Sequence, residues 1–228
     1  MRESRIEQIE TYVKQVMATE VAHDFKHVDR VRRWALYIAR QEDYPKLELL
    51  EATALLHDID LPYVEDRHQH AGVGAELAAR FLQEHNLFSA EEIHEIVYAI
   101  RHHSAMTENG ELLDILREAD TLDLLGAAGL MRAFTSKATQ PEYDPDNIKG
   151  ETWELRIGDF ERRFAEGKGI GPYILDQINF QISCYENLRT KTARRIAKPL
   201  VEFMQTFLLQ LETEICSGQT ATHKEAPF

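Results

Sequence analysis

Apolar residues recur every three or four positions along almost the whole chain, which is the spacing of amphipathic helices. In the second predicted helix, Val28, Val31, Ala35 and Ile38 share one face. The same pattern predicts eight helices, at about 6–16, 25–41, 47–57, 70–84, 90–103, 111–134, 153–164 and 173–211. No segment alternates apolar and polar residues for long enough to predict a strand. We therefore expect an all-α helical bundle.

Two local signals predict where helices begin and end. Ser89 and Glu92 have the spacing of a capping box, which predicts that the fifth helix begins at this point. Pro199 lies inside the last predicted helix and is expected to kink it or to split it in two. We expect a single α-helical domain over residues 1–215, with additional C-terminal helices at about 150–212 and a polar tail at 216–228.

The charge of the chain excludes several classes of partner. Its 228 residues include 39 acidic and 26 basic side chains, which gives a net charge of −13. Because binding to DNA or RNA polymers depends on neutralising phosphates with Lys and Arg, an acidic surface disfavours it, and it disfavours anionic membranes for the same reason. The longest apolar run, 124–131, is far shorter than the ~20 residues of a membrane span. With two cysteines and no signal-peptide pattern, a cytoplasmic protein is expected.

Histidines and aspartates gather at the ends of the predicted helices. The candidate site consists of five of the ten histidines and two aspartates: His27, His57, Asp58, His70, His102, His103 and Asp120. Asp120 differs from the others because it falls on the inward face of the sixth predicted helix, beside Leu113 and Leu116. A carboxylate on an apolar face is costly unless a positive group compensates it. A metal ion provides that compensation.

The chemistry of these side chains suits one or two divalent transition-metal ions. Imidazole and carboxylate together favour Mn, Fe, Ni, Co or Zn, with Mg as a further candidate. Asp58 has two oxygens and can bridge two ions ~3.5–4 Å apart, and a hydroxide between such ions is the expected nucleophile, because coordination lowers the pKa of water towards ~7. The other ligands then divide between the ions, with His27, His57 and Asp120 on the first and His70, His102 and His103 on the second.

The ordered pattern of His27, His57-Asp58 and Asp120 resembles the HD superfamily of metal-dependent phosphohydrolases. The neighbouring sequence agrees, with HVDRV beginning at His27, ALLHDI around the His-Asp pair and EADTLD around Asp120. The resemblance implies an HD core at about 20–135, in which these four residues form the first metal site. The later histidines are similar to those of binuclear branches, among them the HD-GYP phosphodiesterases. The segment at about 188–212 is similar to the C-terminal helix of small bacterial HD hydrolases, which include nucleotide pyrophosphohydrolases.

Three charged residues near the predicted ligands have expected roles in catalysis. Arg30 lies one helical turn after His27, and Arg101 precedes the histidine pair, so both are expected to stabilise charge on phosphoryl oxygens. Asp123 lies one turn after Asp120. It is expected either to orient a metal ligand or to cap a buried polar cluster.

Helical geometry separates the two adjacent histidines. His103 continues the apolar face of Ile96 and Ile100, whereas His102 is rotated ~100° from it. His103 is therefore the favoured ligand, unless the helix ends early and lets His102 turn inwards. One of the acidic residues after the His-Asp pair, Asp60, Glu65 and Asp66, could take a proton or position water, but a solvated acidic turn is favoured for each of them.

These observations predict a metal-dependent phosphohydrolase that cleaves a phosphate ester or anhydride. The resemblance implies a small anionic substrate, a nucleotide in the first instance. The segment 189–198 contains five basic residues and is either a phosphate clamp or a solvated helix face. Two alternatives stay open. Diiron HD proteins similar to myo-inositol oxygenase have the same six-residue pattern, and a nucleotide-binding regulatory module would keep the metal without turnover. A homodimer is one candidate assembly.

Overall fold

The structure, a computed structural model, describes residues 3–17, 24–60, 70–104 and 108–221. Within these residues lie the α-helices α1 (Arg5–Val16), α2 (Phe25–Gln41), α3 (Leu47–Leu56), α4 (His70–Glu84), α5 (Ala90–His102), α6 (Glu111–Asp123), α7 (Gly126–Ser136), α8 (Ile157–Ala165), α9 (Ile174–Ser183) and α10 (Lys191–Ala221). A 3-10 helix, Cys184–Asn187, follows α9. The extended pairing in this part of the chain is an isolated bridge between Asp144 and Asn147. The predicted all-α fold is therefore confirmed.

The chain divides into two compact units. The first comprises Met1–Asp123 and Arg189–Ala193, and the second comprises Leu124–Leu188 and Arg194–Phe228. The sequence predicts one domain over 1–215, and the two units subdivide that range. Among the helices of the described residues, none is both long enough and apolar enough to cross a membrane.

The first unit is built around α2, which packs against α3 and α6, while α5 packs against α3, α4 and α6. The predicted inward face of α2 is buried, since Val28, Val31, Ala35 and Ile38 have no exposed surface. Burying a valine or isoleucine side chain contributes about 1.5–3 kcal/mol. This packing gathers the first turn of α2, the ends of α3 and α5 and the last turns of α6 at one place.

The predicted capping box of α5 is confirmed. The Ser89 hydroxyl accepts a hydrogen bond from the Glu92 backbone N–H at 3.2 Å, and the Glu92 carboxylate accepts one from the Ser89 N–H at 2.8 Å. The same arrangement of Ser4 and Glu7 begins α1. Each box satisfies two backbone donors that the helix itself leaves without partners.

The single helix expected at 111–134 was wrong, because the chain forms α6 and α7 with a break between them. Gly126 adopts φ +68°, a left-handed conformation that glycine reaches without steric cost. A Cβ on Gly129 would lie 2.0 Å from the Leu124 carbonyl oxygen. The tight turn therefore requires glycines at positions that the apolar pattern treats as ordinary helix.

The last predicted helix does not split at Pro199, so that half of the expectation was wrong. Pro199 lies within α10, and the chain divides earlier, between the 3-10 helix and α10. There the Glu118 carboxylate accepts hydrogen bonds from the backbone N–H groups of Arg189 and Thr190, both at 2.6 Å. The Thr190 hydroxyl accepts from the Ala193 N–H at 3.1 Å and so caps α10. Pro199 is exposed, so water can bind the carbonyl that its missing N–H leaves without a partner.

The seventh predicted helix begins later than its pattern indicates. Turns occupy 151–154, and α8 starts at Ile157. Glu154 has φ 61° within these turns, a left-handed conformation that does not belong to a right-handed helix.

Candidate metal centre

Helix ends position the three histidines of the centre. His27 is the third residue of α2, where the Asp24 carboxylate caps the helix by accepting hydrogen bonds from the first backbone N–H groups. His57 and His103 are the C-cap residues of α3 and α5, with nearly the same backbone angles. All three side chains are almost completely buried.

Hydrogen bonds at Nδ1 fix the orientation of all three rings. His57 Nδ1 donates to the Ala54 carbonyl at 2.8 Å, and His103 Nδ1 donates to the Ile100 carbonyl at 2.7 Å. Each acceptor lies three residues back, among the helix-end carbonyls that lack partners within the helix. His27 Nδ1 donates to the Asp123 carboxylate at 2.7 Å. With Nδ1 protonated, a neutral ring presents an unprotonated Nε2.

These Nε2 atoms converge on the carboxylate of Asp58. The Nε2 atoms of His27 and His57 lie 3.2 Å apart. They lie 3.3 and 3.5 Å from Asp58 Oδ2, and His103 Nε2 lies 3.6 Å from Asp58 Oδ1. The ligand atoms of His27, His57 and Asp58 all fall within 4.8 Å of one another.

Burial and mutual charge set the protonation of this cluster. Burial lowers the pKa of His57, with the neighbouring carboxylates opposing it, so the ring is neutral. Burial works against ionisation of Asp58, but the surrounding imidazoles outweigh it and hold the pKa of that carboxyl well below its usual range. Burial likewise opposes protonation of His103, but the Asp58 carboxylate outweighs it and raises the pKa of that ring.

The last turns of α6 add two carboxylates. Asp120 Oδ1 lies 3.7 Å from His27 Nε2. Asp123 has no exposed surface on its side chain and binds His27 through one oxygen. Asp123 Oδ1 accepts a hydrogen bond from Arg30 Nε at 2.5 Å. Asp123 Oδ2, the oxygen that binds His27, also accepts one from Arg30 Nη2 at 3.1 Å. Arg30 thus forms an ion pair with Asp123, and Asp123 in turn orients the His27 ring.

The two adjacent histidines separate as the helical rotation predicts. His103 faces Asp58, whereas the ring of His102 packs against Tyr98, with centroids 4.7 Å apart. α5 continues to His102, so this ring does not turn inwards. His70 is the first residue of α4, but its side chain lies outside the described residues.

Two other predicted residues, Arg101 and Asp60, differ in their exposure to solvent. Arg101 is exposed, with Nη1 4.0 Å from where a Cβ on Gly72 would lie. The solvated turn expected at Asp60 was wrong, because Asp60 is completely buried. Its carboxylate lies so close to α4 that a Cβ on Gly74 would approach Oδ1 to 2.6 Å.

The residues fit a divalent metal ion. The Nε2 atoms of His27 and His57 face each other across 3.2 Å, and the ionised carboxylate of Asp58 lies beside them. A cation between these atoms would be favourable, because it offsets the buried negative charge and can bind both nitrogens. Imidazole nitrogen with carboxylate oxygen suits the transition metals that the sequence indicates.

Sequence patterns did not indicate the role of Arg117. This side chain donates to three backbone carbonyls, those of His102, His103 and Glu108. In the sequence, Arg117 stands between Leu116 and Glu118, and the structure shows that both of these neighbours are buried.

Comparison with known families agrees with this geometry. Residues 24–125 match the HD domain family, and this range contains every described residue of the centre. This part of the chain is an HD domain. The HD domain contributes the carboxylates and imidazoles of the centre from α2, α3, α5 and α6.

The similarity to known proteins extends beyond the HD domain. The chain is 29% identical over 227 residues to the uncharacterised protein YpgQ of Bacillus subtilis, covering 92% of this chain and 93% of YpgQ. A crystal structure of YpgQ in complex with ADP has a TM-score of 0.62 at 23% identity, covering 92% and 94% of the two chains. A predicted HD superfamily hydrolase from an uncultured Thermotogales bacterium has a TM-score of 0.59 at 25% identity, covering 92% and 93%.

Proposed function

We propose that this HD-domain protein is a metal-dependent phosphohydrolase that cleaves a phosphate ester or anhydride of a nucleotide. The observation that carries this proposal is the convergence of the Nε2 atoms of His27 and His57 on the ionised carboxylate of Asp58. The similarity to an HD superfamily hydrolase supports the reaction class. The ADP complex of YpgQ supports a nucleotide as the substrate class.

The residues of the centre divide into those that bind and those that orient. His27, His57, Asp58 and Asp120 would hold one ion, and His103 and His70 would hold a second ion or help to orient the substrate. When bound, a divalent ion polarises a phosphoryl oxygen and activates water at neutral pH. Asp58 remains ionised because the imidazoles around it stabilise its charge.

The supporting residues keep the imidazoles in the tautomer that binds metal. Asp123 accepts a hydrogen bond from His27 Nδ1–H, and Arg30 holds Asp123 in place with two nitrogens. Such a carboxylate raises the basicity of the imidazole that it binds. Arg101 is proposed to contact the phosphate from the exposed edge of the site.

A substrate panel tests the proposal. The chelator-stripped chain is loaded separately with Mn²⁺, Co²⁺, Mg²⁺ or Zn²⁺ and given nucleoside mono-, di- and triphosphates and phosphodiesters. Chromatography and phosphate or pyrophosphate assays then identify the products. Asp58→Ala should abolish metal content and activity with the helical circular-dichroism spectrum retained. Asp29→Ala serves as the matched control because Asp29 pairs with Arg32 and Arg33 instead of a histidine.

The alternatives give different results in the same experiments. Iron retained through purification, with an oxygen-dependent optical change and no phosphate release, indicates the diiron oxygenase. Tight nucleotide binding without products across the panel indicates a regulatory module. Full activity of Asp58→Ala would show that the centre is not the catalytic site.

A further inference from the structure

The end of α5 is held by one buried arginine from α6. The side chain of Arg117 is 10% exposed. Its Nη2 donates to the His102 carbonyl at 2.8 Å, its Nε to the His103 carbonyl at 3.2 Å and its Nη1 to the Glu108 carbonyl at 2.7 Å. All three guanidinium nitrogens therefore bind backbone carbonyls, two of them at the end of α5 and one shortly before α6.

These contacts stabilise a helix end that carries a proposed metal ligand. The last carbonyls of a helix have no partners within it, and a positive charge at this end is favourable. Because Arg117 binds the carbonyl of His103 itself, it fixes the backbone from which that ring projects. The ring is then held by its own bond to Ile100, with Nε2 3.6 Å from Asp58 Oδ1.

Arg117 also links ligands on two helices. It lies on α6 three residues before Asp120, which is one helical turn. Its contacts therefore fix the end of α5 relative to the turn of α6 that supplies Asp120. A shift of α5 relative to α6 would move His103 away from Asp58.

We propose that Arg117 is a positioning residue that places His103 in the metal centre by fixing the end of α5 to α6. This inference rests on the proposed metal site. Lysine cannot replace the arrangement, because an ammonium is a point charge and cannot bind three carbonyls with a planar fork. Glutamine lacks both the charge and the third donor.

Cobalt binding tests this proposal without using activity. Chelator-stripped full-length protein is titrated with Co²⁺, and affinity is read from calorimetry and the visible absorption of the bound ion. Arg117→Gln should weaken binding by about 10–100-fold, the range found when residues that orient metal ligands are replaced. Arg117→Lys should fall between this variant and the wild type. Arg163→Gln is the matched control, since Arg163 is also largely buried and donates to the Gly169 carbonyl; it should stay within twofold of the wild type.

A double-mutant cycle separates positioning from general stability. If Arg117 acts through His103, Arg117→Lys should cause no further loss of Co²⁺ affinity in a His103→Ala background. Equal losses in both backgrounds would overturn the proposal, as would wild-type affinity in a folded Arg117→Gln variant. Should Arg117→Gln fail to fold, the lysine cycle decides the question. Wild-type protein that binds no Co²⁺ would overturn both the metal site and this role, whereas Co²⁺ binding without hydrolysis of any substrate would overturn the proposed function alone.

Discussion

Replacing Asp123 by asparagine should show how much the metal affinity depends on the orientation of His27, because the variant keeps the histidine itself. The Asp123 carboxylate accepts a hydrogen bond from His27 Nδ1 at 2.7 Å and two more from the Nε and Nη2 atoms of Arg30. Asparagine keeps the size of the side chain and one acceptor oxygen but removes the charge. Without that charge, His27 is a weaker base and its ring orientation is less fixed.

The expected effect on metal affinity follows from the role of this contact. Loss of a residue that orients a metal-bound histidine costs about 10–100-fold in affinity, which is about 1.4–2.8 kcal/mol. Stability should also fall, because the change breaks an ion pair whose acidic member is buried. The loss should be smaller than the ~3–5 kcal/mol of a fully buried pair, since the Arg30 side chain is 33% exposed and can be hydrated.

Competition between the protein and a chelating dye for Mn²⁺ measures the affinity, and circular dichroism during heating confirms that each variant is folded at the assay temperature. Asp29→Asn is the matched control on α2. It also removes a carboxylate bound to two arginines, but it leaves His27 untouched. Folded Asp123→Asn protein with an affinity within twofold of the wild type would refute the assignment, as would an equal loss in Asp29→Asn.

Three further predictions concern other parts of the chain. His103→Ala should weaken Mn²⁺ binding at least tenfold and His102→Ala by less than twofold, measured by the same dye. Burial raises the pKa of Tyr44 to about 12, so the unfolded state loses its phenolic proton first. The stability is therefore expected to be fully present below pH ~10 and to fall by roughly 2–3 kcal/mol as the pH rises to ~12, and urea titrations should show a smaller alkaline loss in Tyr44→Phe. Gly126→Ala should cost at least ~1 kcal/mol, seen as a lower melting temperature, because φ is +68° and the added Cβ would lie 2.9 Å from Leu200 Cδ2; unchanged melting would contradict this account of the break.

The sequence contained enough information to predict much of the candidate centre. Histidines at helix ends and an aspartate on an apolar face are visible as deviations from the helical pattern. The rotation of ~100° per residue correctly separates His103 from His102, because α5 remains regular up to its last residue. Periodicity likewise predicts the buried face of α2.

Features that depend on contacts between distant residues were not predictable in this way. The cap of α10 at Thr190 involves Glu118, which is 72 positions earlier in the chain. The break before α7 depends on how closely Gly129 approaches the Leu124 carbonyl. Arg117 appears in the sequence as an ordinary helical residue, and only the fold shows that its partners are carbonyls at the end of another helix.

Contacts within the polypeptide orient all three rings. His57 and His103 donate to carbonyls of their own helices, and His27 donates to a buried carboxylate. In metal sites that form only on folding, the ion supplies the free energy of folding, and removing it unfolds the domain. Here the helices that carry the site, α2, α3, α5 and α6, also pack against one another through apolar side chains. Chelator-stripped protein should therefore remain helical. If a variant stays folded, a loss of metal affinity then reports on the geometry of the ligands. Variants of Asp123 and Arg117 can therefore be distinguished from variants of residues that only stabilise the fold.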